Sequence, residues 1–180
     1  MKDELRTSLR AILWGGAAAG AADIVSALAN QKGRVLGVLQ YIASGLIGSF
    51  AFDGGWVTAA VGLAVHFGLT TIMAALFVLA AQRWTVLLQK PWAAGLVYGA
   101  ILYAAMTHVI VPHLSAAQGW KTAEDFWSNL RGAMGHGFFV GVPIACVARH
   151  FLSGYQAAGV NTALSGVSLG KNLGSSPAQG

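Results

Sequence analysis

Four ionisable side chains lie inside otherwise apolar stretches of this chain: Asp23, His66, His108 and His136. His66 stands in the middle of "VGLAVHFGLT", residues 61–70, a run that reads as membrane-spanning hydrocarbon. An ionisable group in a span is costly, about 2.5–3.5 kcal/mol for Asp on the insertion scale, so it normally faces protein or water and is a functional candidate. Three chemistries suit the set. Two neutral imidazoles on facing helices, drawn from His66, His108 and His136, can be axial haem ligands. The three histidines with Asp23 can hold a zinc, copper or iron ion, all of which accept imidazole. A His and Asp chain can relay protons, because histidine titrates near neutrality. The structural alternative is that each histidine donates a hydrogen bond to a carbonyl or hydroxyl of the next helix, a contact worth about 0.6 kcal/mol on average in a membrane protein. No HxxH, HxxxH or ExxH pair falls on one helix, so spacing within an element does not by itself specify a metal site.

The elements that must position these groups are membrane helices. Of the 180 residues 56% are hydrophobic and 9% charged, against about 25% charged in a soluble domain. The fold class expected is an all-α membrane protein, read as one domain over 1–152. A helix rising 1.5 Å per residue needs about 20 apolar residues to cross a bilayer. Four windows meet that length: about 11–29, 56–81, 93–113 and 132–152. A fifth run, 35–50, is short for a span. Its small and polar stripe (Gly37, Gln40, Tyr41, Ser44, Gly48) opposes Val35, Leu39, Ile42 and Leu46 at helical spacing, which reads as an interfacial or re-entrant helix.

Charge placement supports four spans. With a cytoplasmic N-terminus, Lys2, Arg6, Arg10, Arg83, Lys90, Arg149 and Lys171 fall inside, and Lys32, Arg34, Lys121 and Arg131 outside. If 35–50 also crossed, five basic residues would lie inside and six outside, which runs against the positive-inside rule. Both termini are therefore expected in the cytoplasm. Trp14, Trp56, Trp84 and Trp92 lie near helix ends, and Trp120 and Trp127 precede the fourth span, as an interfacial aromatic belt requires. Under this topology Asp23, His66, His108 and His136 all fall roughly 6–15 Å below the outer surface, one from each span, and can converge there. On the second span Gly62, His66 and Thr70 form one polar line. Tyr98, Tyr103 and Thr107 of the third can extend a network with it.

Several function classes are excluded or disfavoured. The eleven basic residues are scattered, which does not make a nucleic-acid patch despite a net charge of +5. Cys146 is alone, so there is no disulfide framework. No nucleophile elbow, HExxH motif or nucleotide fingerprint occurs. Asp53 in "FDGG" reads as a turn residue or N-cap ahead of Trp56, and His113 and His150 as interfacial. The N-terminal segment resembles a secretory signal, but Asp23 interrupts its apolar region and retention is expected. Gly16 and Gly20, Gly95 and Gly99, and Gly137 and Gly141 form small-residue faces for close helix packing. Pro112 is expected to end the third span and Pro143 to kink the fourth. The cytoplasmic tail 153–180 is rich in Gly and Ser and has no periodic face, so on its own it is expected to be disordered, and ordering it takes a partner chain.

The stretches "LQYIASGLIGSFAFDGGWVTAAVGLAVHF" (39–67) and "HGFFVGVPIACVARHF" (136–151) resemble small bacterial inner-membrane proteins of the YagU-like kind. The resemblance spans about residues 11–152. It implies a bacterial inner membrane and a compact four-span bundle, and it carries over no catalytic residues. The reading that follows is a non-enzymatic accessory or scaffold subunit of a larger membrane assembly of respiratory or photosynthetic type, in contact with the bilayer and other membrane subunits. The alternative is a small haem- or metal-binding redox or transport protein centred on His66, His108 and His136.

Overall fold

The computed structural model describes residues 2–116 and 125–154, and all regular structure there is helical. Five of these helices are long and apolar enough to cross a membrane: α1 (Lys2–Asn30), α2 (Val35–Phe52), α3 (Gly55–Arg83), α4 (Pro91–His113) and α5 (Phe126–Gly154). Each apolar window read from the sequence falls within one of them. The largest boundary difference is at α1, where the charged segment before Ala11 continues the helix instead of preceding it. Trp120, Lys121 and nearly all of the tail lie outside the described residues.

Helices α1 and α3 pack antiparallel, with Ser8 beside Gln82 (2.8 Å), Gly16 against Thr71 and Gly20 against Phe67. The C-terminal end of α1 and the N-terminal end of α3 therefore lie together, and α2 connects these two adjacent ends. The reversal out of α1 is made by Lys32 (φ 52°) and Gly33 (φ 76°), both left-handed. Helix α2 is α-helical over Val35–Ile47 and closes in a 3₁₀ turn at Gly48–Phe52. Asp53 follows that turn, exposed, with its N–H on the Phe50 carbonyl (3.3 Å), while Gly54 occupies the N-cap of α3. Asp53 is thus a turn residue and not the cap.

Helices α4 and α5 are also antiparallel. A Cβ on Gly95 would stand 2.6 Å from the Val142 Cα, and one on Gly99 2.5 Å from the Gly137 Cα, so only hydrogen fits between these backbones. Gly141 meets Gly95 in the same way, and Gly62 of α3 meets the Leu39 carbonyl of α2. In lipid the hydrophobic effect offers little between helices, so this close approach and its dispersion contacts carry the packing. The glycine pairs on the first, third and fourth expected spans all lie at such contacts. Tyr98 joins α4 to α3 by donating to the Met73 carbonyl (2.7 Å).

Pro112 and Pro143 sit in a recurrent arrangement. A π turn at Met106–Ile110 ends two residues before Pro112, and a second at Gly137–Gly141 ends two residues before Pro143. A proline inside a helix removes one N–H and pushes on the carbonyl four residues earlier, here His108 and Phe139. The wider turn accommodates that ring, and the helix continues: α4 runs through Pro112, and α5 runs through Pro143 to Gly154. The third span closes at Pro112 as expected, with α4 ending at His113 and the proline ring in its last turn.

The interior is divided. Its apolar cluster, including Ala19, Phe77, Val78, Val140, Ile144 and Leu152, lies where the first two-thirds of α1 meets the end of α3 and the end of α5. The buried polar side chains lie elsewhere: Gln40 and Ser44 on α2, His66 and Thr70 in the first and middle parts of α3, and Thr107 near the end of α4. On the outside, Leu13, Val57, Ile72, Leu79, Val97 and Ile101 are all more than half exposed. Helices this long and apolar, with apolar side chains exposed along them, belong in a bilayer, and the chain is a multi-pass membrane protein in contact with lipid.

Candidate functional sites in the polar half

His66 is 7% exposed and its Nε2 lies 2.9 Å from the Gly20 carbonyl oxygen on α1. A carbonyl only accepts, so Nε2 carries the proton and Nδ1 keeps its lone pair when the ring is neutral. The Gly62, His66 and Thr70 line faces inward, all three residues being buried. Thr70 donates to the Phe67 carbonyl (3.2 Å) in its own helix, so the bond to Gly20 is the interhelical one.

His108 and His136 belong to a different group. The ring of Tyr103 has His136 at 5.4 Å and His108 at 6.4 Å, both edge-on, and its hydroxyl is 3.2 Å from the Asn129 Oδ1. His108 is exposed and His136 half-buried. A shallow groove of about 330 Å³ borders Tyr103, His108, Phe126 and Asn129. Asp23, on α1, borders a larger cavity together with His66. The structure therefore places Asp23 and His66 on the wall of one cavity, and Tyr103 beside His108 and His136 in another group. Among the described residues, no three His, Cys, Asp or Glu side chains are grouped to hold a metal ion. The convergence of one residue from each span is not the arrangement found. The reason lies in packing: Gly99 and Gly137 draw α4 and α5 together beside His136, while Gly20 draws α1 onto α3 beside His66.

Two further features escape a reading of single residues. Gln40 is buried and its amide nitrogen reaches the Phe52 and Gly55 carbonyls and the Thr58 hydroxyl at 3.3–3.4 Å. Thr58 in turn donates to the Ala51 carbonyl at 2.6 Å. These bonds hold the α2–α3 connection against the first turn of α3. The sequence put Gln40 in the polar stripe of α2, but that stripe is not the buried face: Gly37 and Tyr41 of it are exposed, and Leu39 opposite is buried. The second feature is Arg34, which the sequence offers only as a loop charge and which borders the same cavity as Asp23.

At the start of α5, Asp125 caps the helix by accepting from the Ser128 backbone N–H at 2.8 Å. Hydrogen bonds from Ser128, and the Arg131 charge to a smaller degree, hold its carboxyl below the usual range. Every fully buried side-chain nitrogen or oxygen among the described residues has a hydrogen-bond partner.

Compared with protein-family models, curated proteins and solved structures, the chain matches none.

Proposed function

We propose that this protein is an accessory or scaffold subunit of a larger assembly in a bacterial inner membrane, without catalysis of its own. One observation carries the reading: the most deeply buried histidine, His66, spends its N–H on the Gly20 carbonyl and so ties α3 to α1. Intramembrane polarity used in this way specifies helix pairing and asks for no substrate. The YagU-like resemblance of residues 39–67 and 136–151 supports the bacterial inner membrane.

In the topology that goes with this reading, α1, α3, α4 and α5 cross, α2 is interfacial or re-entrant, and both termini are cytoplasmic. The antiparallel pairing of α1 with α3 supports it, since a connector between two adjacent ends starts and finishes on one side. The distribution of Lys and Arg supports the same arrangement. The resulting neighbours are lipid and other membrane subunits.

Native mass spectrometry of the protein gently extracted from its own membrane tests the reading. The expected mass is that of a larger complex with no cofactor on this chain. One chain alone, or one chain with a haem or metal ion, overturns it. The latter result would favour a redox or transport protein and direct attention to His108 and His136, which share Tyr103 as a ring neighbour.

A further inference from the structure

A cavity of about 540 Å³ opens between the C-terminal third of α1, α2 and the start of α3. Two opposite charges border it. Asp23 is half-buried, seven residues before the end of α1 at Asn30, and Arg34 is exposed in the turn that enters α2. The carboxylate therefore lies deeper and the guanidinium nearer the mouth. The two are not ion-paired with each other, and neither side chain has a hydrogen bond to another described residue. His66 borders the same space. With Nε2 committed to Gly20, the neutral imidazole has Nδ1 left as an acceptor. The rest of the wall combines the polar side chains of Asn30 and Gln31 with the apolar and aromatic Val38, Ile42 and Phe52, and α2 continues past it with the exposed Val35 and Leu46.

This charge pattern selects its ligand. A bare organic cation meets Arg34 on entry, and a bare anion meets Asp23 at the bottom. A zwitterion with its ammonium leading satisfies both. A carboxylate with an imidazole lone pair suits a donor with several N–H bonds, and an exposed guanidinium suits phosphate oxygens. The apolar flank suits acyl chains. We propose that the cavity binds the headgroup of an aminophospholipid of the phosphatidylethanolamine class, its ammonium on Asp23 with His66 as a further acceptor, and its phosphate on Arg34. The proposal rests on these helices lying in a bilayer and is independent of the accessory-subunit reading.

The test uses the full chain in nanodiscs of equal parts phosphatidylethanolamine, phosphatidylcholine and phosphatidylglycerol, with retained lipids counted by native mass spectrometry. Phosphatidylcholine is the informative competitor, because its quaternary ammonium has the same charge and no N–H to donate. The wild-type protein is expected to retain phosphatidylethanolamine about tenfold over phosphatidylcholine, the scale of one charge-assisted hydrogen bond. Asp23→Asn and Arg34→Gln are each expected to abolish most of that preference, whereas Asp53→Asn, exposed in the turn beyond α2, is expected to keep it. Arg34→Gln alters an exposed side chain outside the packed interior, so it reports on the site even if Asp23→Asn misfolds. Equal retention of the two lipids by the wild-type protein overturns the proposal, as does an unchanged preference in folded Asp23→Asn or in Arg34→Gln. Soluble phosphoethanolamine distinguishes the source. No displacement of bound lipid at millimolar concentration is expected; displacement together with binding to lipid-free protein would identify a soluble zwitterion and overturn the lipid assignment.

Discussion

His66 is the residue on which the competing chemistries turned, and its bond to Gly20 assigns it a packing role within this chain. His66→Ala removes one interhelical hydrogen bond and leaves a space against α1. The hydrogen-bond part is worth about 0.6 kcal/mol and the lost packing adds to it, so a total near 1–2 kcal/mol is expected in a denaturant titration in micelles. No change in bound metal or in the visible spectrum should accompany it; loss of a chromophore would refute the packing role. Asp125 supplies a second test at this scale. Its carboxyl is held below the ordinary carboxylate value by Ser128, so the cap is more stabilising when ionised. The sign follows from linkage: the contribution is complete above the unfolded value of about 3.9 and is lost as pH falls through the lower folded value. Amide exchange at Ser128, corrected for its intrinsic pH dependence, should therefore become less protected in acid, and Asp125→Ala should remove that pH dependence. Identical profiles for the two proteins would refute the cap.

Glycine placement is the main device at the level of elements, and it separates contact faces from lipid faces. Gly62 has no room for a side chain against the Leu39 carbonyl, whereas a Cβ on Gly68, six residues further along α3, meets nothing within 4 Å. Gly62→Leu is expected to cost about 1–3 kcal/mol by overpacking and to displace α2. Gly68→Ala should be neutral or stabilise by up to about 1 kcal/mol through helix propensity. Thermal melts in one detergent decide this, and equal losses at the two positions would contradict the packing described. Single cysteines at Arg34 and Phe50, on a Cys146→Ala background, examine the path of α2. Both should react with a membrane-impermeant maleimide from the same side. Labelling from opposite sides would mean that α2 crosses and that five spans exist. These positions also show why the α2 region was hard to read in sequence. Its length of 16 apolar residues suits either fate, and only the antiparallel pairing of α1 with α3 brings its two ends together.

Across the whole molecule, Trp56, Trp84, Trp92 and Trp127 mark helix ends, whereas Trp14, expected near one, falls midway along α1 because that helix begins at Lys2. Trp56 and Trp84 lie at opposite ends of α3 and are both about two-thirds exposed. At 1.5 Å per residue they are about 42 Å apart, close to the thickness of a bilayer with its headgroup layers. Lipids brominated near the headgroup should therefore quench both more strongly than lipids brominated at the chain ends, and the reverse order would place α3 wrongly. The all-helical class, the positions of the long apolar helices and the glycine faces followed from the amino-acid sequence, because lipid forces backbone hydrogen bonds into each helix and writes the span into local composition. The π turns before Pro112 and Pro143, the separation of His66 from His108 and His136, and the placing of Asp23 and Arg34 on one cavity were decided only by tertiary structure. Each depends on which glycine faces which backbone: depth along a helix can be read from spacing, but the neighbour at that depth is set by packing between helices distant in the chain.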